Sequence, residues 1–128
     1  MGHEYIEKWK EFYPSKALNQ GFHESIFDYE DYRIDKITNW LNYNRKIKAL
    51  LNDPQNDYRE AKPIDARLLG VQVQNEIDLW DKTKPHLNTV SLYTRSISNA
   101  IPPILEANYL TPDEKIQLAC ERLNEIIL

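Results

Sequence analysis

The chain has 128 residues, 16 Lys+Arg against 20 Asp+Glu for a formal charge of −4, and is 41% hydrophobic and 28% charged. These proportions lie near the globular averages of about 45–50% and about 25%, which excludes a disordered, collagenous or membrane-spanning chain; the length predicts one domain, residues 1–128, that needs no metal or disulfide staple. The single Cys120 excludes an internal disulfide, and no stretch reaches the roughly 18 apolar residues of a membrane helix or opens like a secretion signal, so the cytoplasm is the default expectation.

Three glycines, Gly2, Gly21 and Gly70, are too few for the turns of an all-β domain. An all-α fold is predicted, an irregular antiparallel bundle of about five to six helices, with the prolines marking helix ends. Tyr5, Ile6, Trp9 and Phe12 or Tyr13 give a first helix over 3–13 that Pro14 stops or kinks. A short turn over 15–20 ends at Gly21, which suits a left-handed cap. The longest helix is expected from about Tyr29 to Asn52, with Ile34, Ile37, Leu41, Lys48 and Leu51 on one stripe and Tyr32, Trp40, Tyr43, Ile47 and Leu50 beside it. Asn52 to Pro63 reads as the main loop.

The helix after Pro63 is expected to bury Ile64, Leu68, Val71 and Leu79, flanked by Leu69, Val73, Ile77 and Trp80. Gly70 inside it costs about 0.5–1 kcal/mol against alanine, so either a neighbouring helix approaches closely there or the helix breaks. Leu87, Val90, Ile97 and Ile101 continue in a further helix up to Pro102-Pro103, where a turn is expected. The last helix has the clearest start, with Thr111 as cap, Pro112 at the first position and Glu114 three after the cap. Ile116, Ala119 or Cys120, Leu123 and Ile127 form its expected buried stripe. It closes on Asn124-Glu125-Ile126-Ile127-Leu128, an acid and three apolar residues without a cap. Two expectations follow: the tip packs on its own core, or the remainder of a longer protein covers it.

No residue pattern carries a reaction. His3, His23 and His86 are far apart, and His3-Glu4 lacks the second histidine of a zinc-peptidase helix, because Glu7 stands where it belongs. Cys120 on the expected apolar stripe reads as a buried, inert thiol. No nucleophile elbow, phosphate loop or dinucleotide fingerprint is present. Asp28, Glu30, Asp31 and Asp35 crowd the expected start of the long helix, where the dipole accounts for them without a glycosidase-like pair. Lys and Arg are dispersed, so nucleic-acid binding lacks its footprint. Trp9, Trp40, Trp80 and the eight tyrosines are expected to fill core rather than line a pocket. No catalytic, cofactor-binding or metal residue is therefore assigned, no cofactor is expected, and the chain reads as a non-enzyme.

The order Trp9, Pro14, Ala17, Gly21, His23, then Asp65, Leu68, Leu69, Glu76, Trp80, Pro85 and Tyr93, closing on Glu121-Arg122-Leu123 and Ile126, resembles the N-terminal region of the bacterial family called domain of unknown function 885. Longer members of that family are predicted lipoproteins or zinc-peptidase-like proteins. The resemblance implies a non-catalytic helical part, with the family's zinc helix far downstream of this region and the remainder of a longer parent as partner. It also leaves open an export signal removed from a secreted or lipid-anchored parent. The segment after His23 is short and lacks the family's serine, so no role passes to His23. The alternatives are a stand-alone interaction protein that pairs with a second copy of itself and a small-ligand binder using the tryptophans and the acids of the long helix.

Overall fold

The computed structural model describes residues 1–127, with Arg59 and Ile127 described by their backbone alone. Among the described residues there is no strand. The helices are α1 (Gly2–Phe12), α2 (Pro14–Asn19), α3 (Ile34–Asn52), α4 (Tyr58–Ala61), α5 (Pro63–Ile77), α6 (Pro85–Asn88), α7 (Val90–Ser98), α8 (Pro102–Glu106) and α9 (Pro112–Ile127). A 3-10 turn spans His23–Phe27 and a π turn spans Asp78–Thr83. Six of the helices, α1, α2, α3, α5, α7 and α9, have six residues or more. The all-α class is as the composition and periodicity predict.

Pro112 opens the last helix as expected, and other prolines expected to mark helix ends do the same. They open helices: Pro14, Pro63, Pro85, Pro102 and Pro112 each take the first position of a helix, where the missing N–H is harmless and the fixed φ is already helical. The residues before Pro14 and Pro63 are pushed out of the helical region, so Tyr13 (φ −119°, ψ 62°) separates α1 from α2 and Lys62 (φ −138°, ψ 70°) separates α4 from α5. The paired prolines start α8 instead of a turn, since both occupy first-turn positions where a missing N–H costs no helical bond.

Gly21 caps α2 as predicted. Its φ is +96°, and the Phe22 N–H donates to the Ala17 carbonyl at 3.1 Å while the Gly21 N–H donates to that of Leu18, the paired bonds of a Schellman motif. The Thr111 cap of α9 also forms. The Glu114 N–H donates to Thr111 Oγ1 at 3.2 Å, and the Thr111 hydroxyl donates to Glu114 Oε1 at 3.1 Å.

The long helix is shorter than predicted, because the backbone is extended at Asp28 (ψ 158°) and again at Arg33 (ψ 149°), and helical bonding starts only at Ile34. The main loop contains α4, entered through two side-chain turns in which Asp53 accepts from the Gln55 N–H and Asn56 from the Tyr58 N–H. The helix expected after Pro85 is broken at Thr89, whose extended backbone (φ −133°, ψ 107°) divides α6 from α7.

Two compact units divide the described residues. The first comprises Met1–Ile6 and Tyr32–Asn88, the second Glu7–Asp31 and the chain from Thr89 onward. In the first, α3 packs along α5, burying Ile37, Trp40, Ile47 and Leu51 against Ala66, Leu69, Val73, Ile77 and Trp80. In the second, Ile26, Ile104, Ala107, Leu110 and Leu118 form a core flanked by Leu18 and Ala119. Each fully buried Leu, Ile or Val contributes about 1.5–3 kcal/mol of transfer free energy, an upper bound against a compact unfolded chain.

Two predicted stripes face the other way. On α5 the flanking residues are the buried ones, while Ile64, Leu68 and Val71 point outward at 73%, 64% and 56% exposure. Apolar residues surround nearly the whole of α5, so its periodicity did not select a face, and packing against α3 did. On α9 the inward residues are Leu118 and Arg122, with Ala119, one of the two alternatives for the stripe, packed against the core, while Ile116, Cys120 and Leu123 are exposed. The Cys120 thiol is thus not the buried group expected, because Leu118 fills the core position and the helix turns toward Arg122. The Ile127 side chain and Leu128 lie outside the described residues; Ile126 is half-buried. Gly70 does not meet a neighbouring helix: a Cβ there would find nothing within 4 Å, and α5 runs through it unbroken.

Candidate functional site

Each unit contains one buried polar cluster. In the first unit it centres on Glu76, which lies on the α5 face turned to the core, one helical turn before Trp80 in the π turn. The Trp40 indole N–H donates to Glu76 Oε2 at 2.8 Å and that of Trp80 to the same oxygen at 3.2 Å; Gln72 Nε2 donates to Oε1 at 3.3 Å. The i,i+4 spacing places Gln72, Glu76 and Trp80 on one face, so the carboxylate meets donors from its own helix and from α3.

Tyr5 completes the cluster. Its hydroxyl donates to Asn44 Oδ1 at 2.6 Å, and Asn44 Nδ2 donates to the Trp40 carbonyl at 2.8 Å, so a fully buried asparagine links α1 to α3. The Tyr5 ring lies 5.5 Å from that of Trp40 and 5.9 Å from that of Tyr43. Burial, reinforced by the Glu76 charge, pushes the Tyr5 phenol well above its usual pKa, which keeps it a neutral donor. Tyr32 and His86 close the periphery, their rings 5.8 Å and 5.6 Å from Trp80.

In the second unit the buried charges are Glu30 and Arg122. Both Glu30 oxygens engage Ser15, one accepting from its N–H and one from its hydroxyl, each at 2.8 Å. Because Pro14 and Ser15 are the first residues of α2, Glu30 supplies from a distance the acceptor that Tyr13, the residue in the cap position, does not. Arg122 donates from a terminal nitrogen to the Ile26 carbonyl at 2.7 Å, holds its Nε 3.4 Å from the Glu125 carboxylate, and lies over the Tyr29 ring. Burial pulls the Arg122 guanidinium below its ordinary pKa, with Glu125 and Glu30 opposing that shift.

The residues singled out in the sequence are scattered. His3 and His23 are exposed, the His23 ring tilted against that of Tyr109 at 4.6 Å, while His86 lies half-buried against Trp80. No group of three or more metal-ligating side chains occurs among the described residues. Of the four acids, Asp35 alone lies in the first turn of α3; Glu30 serves α2 instead. Trp40 and Trp80 are core, and Trp9 is half-buried beside Tyr13.

Sequence reasoning gave no structural role to Glu76, Asn44 or Arg122, although Glu76 and Arg122 stand in the order that carries the family resemblance. A signal existed: once Leu69, Val73, Ile77 and Trp80 are taken as the buried face of α5, Glu76 falls among them, and a charge on a buried face calls for partners. Arg122 interrupts the inward face of α9 in the same way.

The hydrogen bonds of both clusters tie the chain's own elements together. The first unit also turns a row of apolar residues outward. Ile64, Leu68 and Val71 recur at i, i+4 and i+7 along α5, beside a groove lined by Pro63, Ala66, Arg67, Gly70 and Gln74. No helix among the described residues is long and apolar enough to cross a membrane. No family model, no curated protein and no solved structure matches this chain.

Proposed function

We propose that the chain is a non-catalytic helical module whose α5 face docks against another folded part of a longer polypeptide, as its resemblance to the N-terminal region of the domain of unknown function 885 family implies. The observation that carries this reading is the outward stripe of Ile64, Leu68 and Val71. Contiguous apolar surface of this kind marks contact sites, and the i, i+4, i+7 spacing is that of helix-mediated docking. Gly70 supports it: a glycine in mid-helix costs about 0.5–1 kcal/mol, nothing inside the chain approaches it, and its bare backbone admits a close partner.

Sedimentation at micromolar concentration, combined with apolar-dye binding, tests the reading. The expected result is a monomer that binds the dye and loses that binding when Ile64, Leu68 and Val71 are all replaced by serine. A dimer abolished by the same triple substitution would overturn the docking partner in favour of a second copy. Zinc near one per chain by elemental analysis, lost on replacing His23 or His86, would overturn the non-catalytic assignment. Absence of dye binding in the unsubstituted chain would remove the docking face itself.

A further inference from the structure

We draw no further inference here: the strongest candidate, the small cavity of the second unit lined by Ser15, Ser25, Asp28, Asn99 and Arg122, has room for about one water molecule (≈ 10 Å³) and presents a carboxylate and a guanidinium together, so nothing in the structure shows a ligand it would take.

Discussion

The two units solve the problem of a buried charge in opposite ways. In the first, a carboxylate accepts from two indoles and an amide, all side-chain donors. In the second, the charges are spent mainly on main-chain groups, Glu30 on an amide at the start of α2 and Arg122 on the Ile26 carbonyl. The difference teaches where each cluster stores its stability. The Glu76 cluster welds two long helices through their core side chains, whereas the Glu30 and Arg122 contacts tie down chain ends and turns that lack partners of their own.

Removing Glu76 breaks the first arrangement most severely. Glu76→Ala strands the indole N–H groups of Trp40 and Trp80 in the core, and hydrogen bonds to charged groups contribute about 1.5–3 kcal/mol each. Urea unfolding should therefore register a loss of about 3 kcal/mol or more, accompanied by a change in tryptophan emission. Glu76→Gln, which keeps an acceptor, should lose distinctly less. Equal losses for the two variants would show that shape, not the acceptor, holds the cluster.

Arg122→Met probes the second arrangement with a smaller expected effect. The methionine retains much of the apolar packing over Tyr29 but leaves the Ile26 carbonyl without its donor, at a cost of about 1–3 kcal/mol by the same unfolding measurement. If the variant matched the original chain, the guanidinium would be dispensable and the contrast between the units would lose one of its terms.

Gly70→Ala lies in the first unit but outside its cluster, and it should raise stability by about 0.5–1 kcal/mol, since the helical backbone there is unstrained and the new methyl meets open space. Loss of stability would mean that the glycine has an internal role that the geometry does not reveal.

The smallest effect belongs to the exposed pair of Lys10 with Glu24, joined at 3.0 Å, with Glu7 also 3.0 Å from the lysine. The hydrogen bonds that Lys10 donates to these carboxylates raise its pKa, so that contribution is present below the usual lysine range and is lost as pH rises through the folded value. The Glu24 pKa is lowered, first by a bond from its own backbone N–H and then by Lys10; its contribution is present above the usual carboxylate range and is lost as pH falls through the depressed value. Melting temperature against pH should flatten slightly at both extremes in Lys10→Met.

Much of the local structure was legible because it depends on neighbours three or four residues away. The Thr111 cap, the Gly21 turn and the helix starts at Pro63 and Pro112 are each set by one side chain acting on adjacent backbone, and each formed. Misreadings concentrated where several faces of a helix were equally apolar. For α5, Ile64-Leu68-Val71 and Leu69-Val73-Ile77 fit the same period, and nothing within the helix ranks one above the other. The α9 stripe of Ile116, Cys120 and Leu123 competed with Leu118 and Arg122, and an arginine looks like surface until a buried carbonyl is seen to receive it.

By itself, then, the amino-acid order determined that this protein is helical, where most helices begin, and how several of them are capped, since those outcomes rest on backbone sterics and short-range hydrogen bonds. Tertiary structure alone decided which face of each helix turns inward, and with it that Glu76 meets two tryptophans, that Glu30 caps a helix fifteen residues upstream, and that Cys120 and the α5 stripe are exposed. The reason is physical: burial is a property of pairs of surfaces, and a helix carries the pattern of its own residues but not the shape of the neighbour it packs against.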